Sequence, residues 1–437
     1  MAQTEKNPQQ ETDPDSQKQP AFPAFRGPLL AGDKALWITI AFLAAFSLLV
    51  VYSATASLAW KKGDSSYFLG NQLTFLFIAF WAIYFVHRGS YQLYYHLTPF
   101  VYIISLLVMA ATFFLGVNLN DAQRWLKIPI VGVTMQPSDF LRITTVMILA
   151  RRLAIRQSRI EKMKLLPRLL HWGGKHTRQN REIILSDTIP LLLPVALSCG
   201  MIFFSNLSTA IITFVTCLVM LFIGRVRIRE LLRLLGVAAV VVVMAVSIMY
   251  AYDMGRSRTW VHRMASFIPG IELKEENGKS VAKDLYQVRQ AEIAISTGGL
   301  IGKGPGNSTQ RANLPHSYSD FAYAFVVEEY GTVVAAAMVL LYLWIFFRST
   351  HIFRRCGTAF PALLVLGLGL MIVLQAIVNM LVSVHLMPVT GQTLPLVSLG
   401  GSSLVFTAIA LGMMLAVSRQ VQENTLDKPK EESILER

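Results

Sequence analysis

Apolar runs of nearly bilayer length recur along this chain, and they restrict its fold more than any other feature. Because a transmembrane helix needs roughly 20 consecutive, mostly apolar residues, each run predicts one span. Only 15% of the residues are charged, whereas soluble proteins carry about a quarter. The sequence therefore predicts an all-α integral membrane protein with about ten transmembrane helices. We place them at about 36–56, 72–88, 98–116, 138–154, 188–205, 207–224, 231–252, 321–347, 360–384 and 401–418.

The positive charges of the chain are concentrated in alternate connections between these spans. The net charge is +14, with the largest cluster at residues 151–181 and smaller ones at 225–229 and 348–355. Lys and Arg accumulate on the cytoplasmic side of membrane proteins. These connections and both termini are therefore expected in the cytoplasm. Since topology accounts for the basic loops, we expect no nucleic-acid partner.

The polar segments divide the chain into parts. Residues 1–33 are rich in Gln, Pro and Lys and are predicted to form a disordered cytoplasmic tail. Residues 34–420 are predicted to form the polytopic domain, and residues 421–437 a second cytoplasmic tail. The outward loop 253–320, between the seventh and eighth helices, is long enough to build a site of its own. Within it, residues 283–297 have the amphipathic pattern of a helix at the membrane surface.

Three carboxylates accompany the eighth apolar run, at Asp320, Glu328 and Glu329. Asp320 lies at the boundary of the run. On a continuous helix the two glutamates lie roughly 12 Å deeper and on different faces. An aqueous substrate reaches only the boundary, so Asp320 is the candidate for chemistry. The glutamates are predicted to anchor helix packing or to line a cavity.

Other polar side chains lie within or against the apolar runs. Gln375 and Asn379 are one helical turn apart and predict a polar face towards the bundle interior, either for interhelical hydrogen bonds or for function. Asp139 and Arg142 are also about one turn apart, with Arg124 in the preceding segment. An ion pair of structural importance would explain them, but arginine inside a membrane helix indicates function by default.

Two glycine-rich outward segments present backbone N–H groups. The first, "GGLIGKGPGNS", has no Ser or Thr after Lys303, which argues against a nucleotide-binding P-loop. It is either a plain glycine turn or an anion nest completed by Lys303. The second, "LGGSS", precedes the last helix, where Ser402 and Ser403 either cap the helix or bind a phosphate. The three scattered cysteines and the absence of a His/Cys/Asp cluster in the sequence give no reason to expect a protein-held metal.

Several motifs, in one order along the chain, are shared with a known family. They are "VYSATA", "QRWL", "QPSDFLR", "YQVRQAEIAISTGGLIGKGPGNSTQ", "LPHSYSDF", "EEYG" and "PVTGQTLPLVSLGGSSL". Together they resemble the shape, elongation, division and sporulation family of peptidoglycan glycosyltransferases. The resemblance covers essentially the whole transmembrane region.

This resemblance implies an enzyme that polymerises lipid II at the outer face of the bacterial cytoplasmic (inner) membrane. It also implies a class B penicillin-binding protein as partner, and the long N-terminal tail favours the cell-division branch, with divisome proteins and membrane lipids around it. Asp320 matches the essential aspartate of the family and is expected to be the general base. A divalent cation between Asp320 and the pyrophosphate is left open. The expected substrate contacts are Arg258, Arg263, Gln287, Gln290, Lys303, Arg311, His316, Ser319, Ser402 and Ser403.

The chain departs from the family motifs at several positions. Asp139 and Arg142 stand where Glu and Lys are usual, so the signs of the charges are kept and the geometry is changed. The other departures are His316 for Glu, Tyr318 for His, Asn206 for Asp and Ala291 for Ser.

Two rival functions are compatible with many of these features. A lipid II flippase would carry its polar determinants near mid-membrane, often at broken helices of related halves. A scaffold without activity would position a transpeptidase and would not need Asp320. The sequence has no internal repeat, and its richest motifs crowd the outer surface, which favours the enzyme.

Overall fold

Helix dominates the chain, as the apolar runs predict. The computed structural model describes residues 30–62, 67–119, 122–127, 134–158, 160, 188–253, 257–268, 278–311 and 318–426. The elements are α1 (Lys34–Lys62), α2 (Tyr67–Arg88), α3 (Tyr91–Leu115), β1 (Val117–Leu119), β2 (Ala122–Lys127), β3 (Thr134–Met135), α4 (Pro137–Arg156), α5 (Ile189–Ser205), α6 (Leu207–Ile223), α7 (Ile228–Ala251), α8 (Ser257–Phe267), α9 (Gly278–Gly298), α10 (Ala322–Arg355), α11 (Ala359–Ser383) and α12 (Ser402–Leu426).

Each predicted span coincides with a helix. By length and composition, α1, α2, α3, α7, α10, α11 and α12 can cross a membrane, whereas α5 and α6 are apolar but shorter. The fourth predicted span, α4, contains polar and charged residues and is buried over most of its length. The predicted amphipathic helix is present as α9, and α12 continues to Leu426, into the segment predicted as the C-terminal tail.

A small antiparallel sheet of order β1-β2-β3 joins α3 to α4 and was not predicted. Val117 pairs with Trp125, and Leu126 with Met135. The ladder pairs backbone N–H and C=O groups that would otherwise need hydrogen bonds from water. It ends directly before α4, so it fixes where that helix begins.

The core lies around α11, which is buried along most of its length. It packs against α4, α6, α10 and α12. At the other extreme, α7 is almost wholly exposed and presents large apolar side chains such as Val240, Val243 and Ile248. In a bilayer such a surface is solvated by lipid chains, and the backbone bonds are already closed within the helix.

The two ends of the bundle differ in chemistry. At the basic end, the Asp33 carboxylate accepts a hydrogen bond from Leu36 N at 3.0 Å and another from Arg348 Nε at 3.0 Å, so it ties the start of α1 to α10. At the same end, Arg419 of α12 donates to the carbonyls of Arg88 and Gly89. The opposite end, here called the loop end, carries the sheet, α8, α9 and the glycine-rich segments.

Candidate active site

The backbone around Asp320 is held by three hydrogen bonds at the loop end. Leu399 N donates to the Tyr318 carbonyl at 2.8 Å, and Ser398 Oγ donates to the Ser319 carbonyl at 2.8 Å. Asn379 Nδ2 donates to the Asp320 carbonyl at 2.9 Å. Three consecutive peptide groups are therefore fixed by α11 and by residues 384–401, the final connection. The half-buried Asp320 carboxyl group is carried on a rigid support.

The polar face of α11 builds this support, as the spacing of Gln375 and Asn379 predicts. The Asn379 amide also donates to the Gln392 carbonyl at 2.7 Å, so one nitrogen joins two segments. One turn away, Gln375 Nε2 donates to the Thr393 carbonyl at 2.9 Å. Both amides are buried and turn the final connection back over the end of α11.

Behind Gln375 lies the predicted pair of α4. Arg142 Nη2 donates to Gln375 Oε1 at 2.8 Å and lies 3.6 Å from Asp139 Oδ1. The Arg142 side chain is only 3% exposed. Within the described part of the chain, its Nε and Nη1 and the Oδ1 of Asn379 are buried without hydrogen-bond partners. Buried polar atoms without a partner are rare, and each of them needs an explanation.

The final connection also reaches α6, a contact that the sequence did not reveal. Gln392 Nε2 donates to Thr209 Oγ1 at 2.7 Å. Asn206, where the family usually has Asp, precedes α6 and accepts from Thr209 N at 3.4 Å. The side chain acts as a helix N-cap, a task that Asn and Asp perform about equally. The departure therefore keeps this structural role.

The start of α12 closes the same region. Ser402 Oγ accepts from Gln136 N at 3.2 Å, and Ser403 Oγ lies 3.3 Å from Thr393 Oγ1. Both hydroxyls therefore join α12 to neighbouring segments. The last helix, the segment before α4 and the final connection meet at this point.

Helix α10 is broken, whereas its apolar run predicts a continuous helix. Gly331 has φ 83° and ψ 171°, which are not helical. Residues 299–310, here called the glycine loop, supply the missing backbone partners. Lys303 N and Gly304 N donate to the carbonyls of Glu328 and Glu329 at 2.9 Å each. In return, Thr332 N and Val333 N donate to the carbonyls of residues 299 and 300 at 3.0 and 3.3 Å.

Glycine is required on both sides of this junction. A Cβ atom on Gly331 would lie 2.2 Å from the Leu300 carbonyl oxygen, and one on Gly302 would lie 2.3 Å from the Glu329 carbonyl oxygen. Both residues also have positive φ. The two backbones approach closely because neither residue has a side chain.

The same loop binds the Glu328 carboxylate through its Oε1 and Oε2 atoms. The Oε1 atom accepts from Lys303 Nζ at 2.7 Å, Thr309 N at 2.9 Å, Thr309 Oγ1 at 2.9 Å and Gln310 N at 3.2 Å. Ser308 Oγ donates to Oε2. Of the two alternatives for this segment, the contacts fit the anion nest, but a carboxylate of the same chain fills it and Lys303 forms its ion pair there.

Glu329 is held by the glycine loop and by α1. Its Oε1 atom accepts from Ser53 Oγ at 2.5 Å, Gly306 N at 3.1 Å and Ser308 N at 3.4 Å. Ser53 belongs to the "VYSATA" motif, to which the sequence analysis gave no role. On a continuous helix the two carboxylates would lie on different faces. Because the helix is broken just beyond them, both accept hydrogen bonds from the glycine loop. They act as buried supports, as predicted.

The basic residues expected at the substrate are not all brought together. Arg263 Nη1 donates to the Val389 carbonyl at 3.2 Å, in the final connection. Arg311 Nη1 donates to the Gly306 carbonyl at 3.2 Å, in the glycine loop. Arg258 forms an exposed ion pair with Asp253 at 2.6 Å. Of these three, Arg263 contacts the segment that also holds Asp320.

The remaining predicted site residues are only partly described. On α9, Gln287 is buried and Gln290 half-buried. Ala291, a departure from the family, belongs to an apolar cluster with Phe321, Ala324 and Val382. Its methyl group is as apolar as the side chains around it. His316 lies outside the described residues, as does the side chain of Arg124. Among the residues with described positions, no group of three His, Cys, Asp or Glu side chains converges as metal ligands would.

Tyr318 is the departure nearest to Asp320 along the chain. Burial raises the pKa of the Tyr318 phenol, and the Asp320 carboxylate raises it further. Both effects disfavour the phenolate. The phenol, which is protonated at neutral pH even without these effects, is able to donate a hydrogen bond.

The comparison with known sequences decides the family. The FtsW, RodA and SpoVE family of cell cycle proteins matches residues 33–423. The chain belongs to this family. Among its members, the probable peptidoglycan glycosyltransferase FtsW of Thioalkalivibrio sulfidiphilus is 28% identical over 90% of both chains. FtsW of Bacillus subtilis, also a probable peptidoglycan glycosyltransferase, is 28% identical over 91% of this chain and 93% of its own. Stage V sporulation protein E of B. subtilis is 28% identical over 89% and 97%.

Solved structures of the FtsW, RodA and SpoVE type share the fold. A chain described in the structural coordination of polymerization and crosslinking by a peptidoglycan synthase complex has a TM-score of 0.66 and 21% identity, over 90% of this chain and 99% of that one. RodA of Thermus thermophilus has a TM-score of 0.58 and 21% identity, over 90% and 98%. The family fold and the apolar helices together make this a multi-pass membrane protein.

Proposed function

We propose that this chain is a peptidoglycan glycosyltransferase that polymerises lipid II into glycan strands for cell division. Its relatives are named for this glycosyltransferase activity. The observation that carries the proposal is the setting of Asp320. Its backbone is bonded to Asn379 and to the final connection, one turn of α11 away from Gln375, which binds the buried Arg142. A half-buried carboxyl group on a fixed backbone suits general-base chemistry, because its position relative to the substrate is defined.

The proposed chemistry follows from the substrate. A sugar hydroxyl attacks the anomeric carbon of the next unit, and a lipid-linked pyrophosphate leaves. Asp320 accepts the proton of the attacking hydroxyl as general base. The pyrophosphate needs cationic partners, and arginine suits bidentate contact with phosphate. Arg263 is the predicted cation that the geometry favours most, because it contacts the final connection.

The reaction also requires an orientation and a partner. We assign the loop end to the outer face of the bacterial inner membrane, and the basic end with both termini to the cytoplasm, by the positive-inside rule. The solved complex of similar fold is a peptidoglycan synthase that joins polymerization with crosslinking. A class B penicillin-binding protein, which would perform the crosslinking within the divisome, is the proposed partner here.

The test is the Asp320→Asn variant of the purified full-length protein. With its penicillin-binding partner and lipid II, it is expected to lose glycan synthesis by at least about 100-fold, the lower range for a general base. Asp253→Asn is the matched control, because Asp253 is exposed and has a positive φ that Asn also tolerates. Normal polymerisation by Asp320→Asn would remove the base assignment.

A lipid II flippase is the main alternative, and the broken helix α10 is the feature that would favour it. Carriers use the free polar groups at such a break to bind their cargo. Here the backbone groups at the break are bonded to the glycine loop, and Glu328 is bonded to Lys303. Glycan synthesis in detergent, where no second compartment exists, would separate polymerisation from transport.

A further inference from the structure

A cavity of about 320 Å³, lined by both polar and apolar side chains, lies at the basic end, on the opposite side of the bundle from Asp320. It is formed where α1 begins and where α10 and α12 approach their ends. Its polar lining residues are Asp33, Arg348, His351, Arg355, Ser418 and Gln422. None of these residues takes part in the proposed glycosyl transfer.

The charge of the cavity suits an anion. Its carboxylate, Asp33, is 3% exposed and already accepts hydrogen bonds from Leu36 N and from Arg348. The pair with Asp33 fixes the Arg348 side chain, which also lies 5.9 Å from the centre of the Trp344 ring. Arg355 is exposed and has no ion pair with any residue in the described ranges. One arginine is thus neutralised, and a second cation remains at the rim.

The position of the cavity along α10 points to a lipid headgroup. Trp344 and Phe347 are 41% and 54% exposed and stack at 5.3 Å, directly before Arg348. Trp side chains such as Trp344 concentrate at the level of the headgroups, and basic pockets between membrane helices bind anionic headgroups at that level. We propose that this cavity binds the phosphate of an anionic membrane lipid.

A bound headgroup would connect three helices. The phosphate would contact Arg355 and His351 on α10 and the hydroxyl of Ser418 on α12, beside the Asp33–Arg348 pair that holds α1. The acyl chains would follow the exposed aromatic pair into the bilayer. The proposal stands independently of the reaction at the loop end.

Lipid binding can be measured on the purified full-length protein. Phosphatidylglycerol is added to the detergent-solubilised protein, and bound lipids are counted by native mass spectrometry, with phosphatidylcholine as the zwitterionic comparison. Arg355→Gln is expected to weaken phosphatidylglycerol binding about fivefold, the effect of one cation near a membrane surface. Arg354→Gln is the matched control, because Arg354 is the exposed neighbour on α10 and does not line the cavity.

The outcomes separate the possible sources of the signal. Weakening by Arg355→Gln with unchanged binding by Arg354→Gln supports the site. Equal weakening by both variants would mean diffuse attraction, and no weakening by Arg355→Gln would mean no site; either result overturns the proposal. Inorganic phosphate at millimolar concentration is added in a further arm. If it displaces phosphatidylglycerol, the cavity is a site for free phosphate and the lipid assignment is wrong.

Discussion

At the scale of single residues, the glycine loop stabilises the buried carboxylate of Glu328 with groups from an earlier part of the chain. Glu328 is fully buried and accepts from Lys303, which lies 25 positions earlier. The position of Lys303 among glycines predicts a role at the substrate. The ion pair could not be read from spacing, since it depends on the break in α10.

The pair can be tested by removing one charge and then both. Lys303→Met leaves a buried carboxylate without its cation and is expected to destabilise the protein by about 2 kcal/mol. This is below the range for a fully buried pair, because the Lys303 side chain is 22% exposed. The double variant Lys303→Met/Glu328→Gln should recover part of that loss in thermal unfolding. Lys127→Met, at an exposed lysine of β2, is the control, and equal destabilisation by it would contradict the assignment.

Asn379 offers a second test, this time of activity. Asn379→Ala removes both hydrogen bonds that place the Asp320 and Gln392 carbonyls. Because a misplacement of about 1 Å can cost 100-fold in rate, kcat for glycan synthesis is expected to fall by about that factor in a folded protein. Ser383→Ala is the control, since among the described residues Ser383 Oγ donates to a carbonyl of its own helix, at 2.9 Å. Loss of kcat in the control as well would assign the effect to α11 as a whole.

At the scale of elements, the sequence identified the spans well and their irregularities poorly. The apolar run from 321 to 347 contains one glycine near its start, and a helix tolerates a single glycine at a cost of about 1 kcal/mol. Nothing in the run itself therefore marks a break. The break exists because residues 299–304 supply hydrogen bonds that replace those of the helix, and this is a tertiary contact. The sheet between α3 and α4 was missed for another reason, because its strands are too short to show a clear alternating pattern.

Alanine substitutions test whether the junction needs its glycines. Gly302→Ala and Gly331→Ala are each expected to destabilise the protein by at least about 2 kcal/mol, because positive φ strains an L-residue and the new methyl group meets backbone. Gly236→Ala on α7, where no atom lies within 4 Å of the added Cβ, should leave the protein unchanged or slightly more stable. The measurement is the midpoint of thermal unfolding in detergent. Tolerance of both junction substitutions would contradict the close approach.

At the scale of the whole molecule, hydropathy predicted where the helices lie along the chain but not which helices pack against each other. The least apolar predicted span, α4, proved to be one of the most buried. Its Arg142 and Asp139 are placed against α11 rather than against lipid. The individual residues of the candidate site can be identified from the sequence, which singles out Asp320, Gln375, Asn379 and the last motif. Its internal connections through Gln392 and Thr209 depend on helix packing, which a single sequence does not encode in any visible spacing.

The orientation of the molecule is tested by reporters on both ends. Green fluorescent protein, fused after residue 437, is expected to fluoresce because it folds on the cytoplasmic side. Alkaline phosphatase joined within residues 269–277 is expected to be active, because it folds only outside the inner membrane. When the two reporters exchange positions, neither the fluorescence nor the phosphatase activity should be observed. The opposite pattern would reverse the assignment of the loop end to the outer face.

The broken helix has a consequence for how the chain enters the bilayer. A conventional span closes its own backbone bonds and can be released into lipid alone. The start of α10 cannot, because the carbonyls of Glu328 and Glu329 and the N–H groups of Thr332 and Val333 are bonded to the glycine loop. Each such group left unpaired in hydrocarbon costs several kcal/mol. Residues 299–304 leave the ribosome before α10, so they are already present to pair with these groups when the span is inserted.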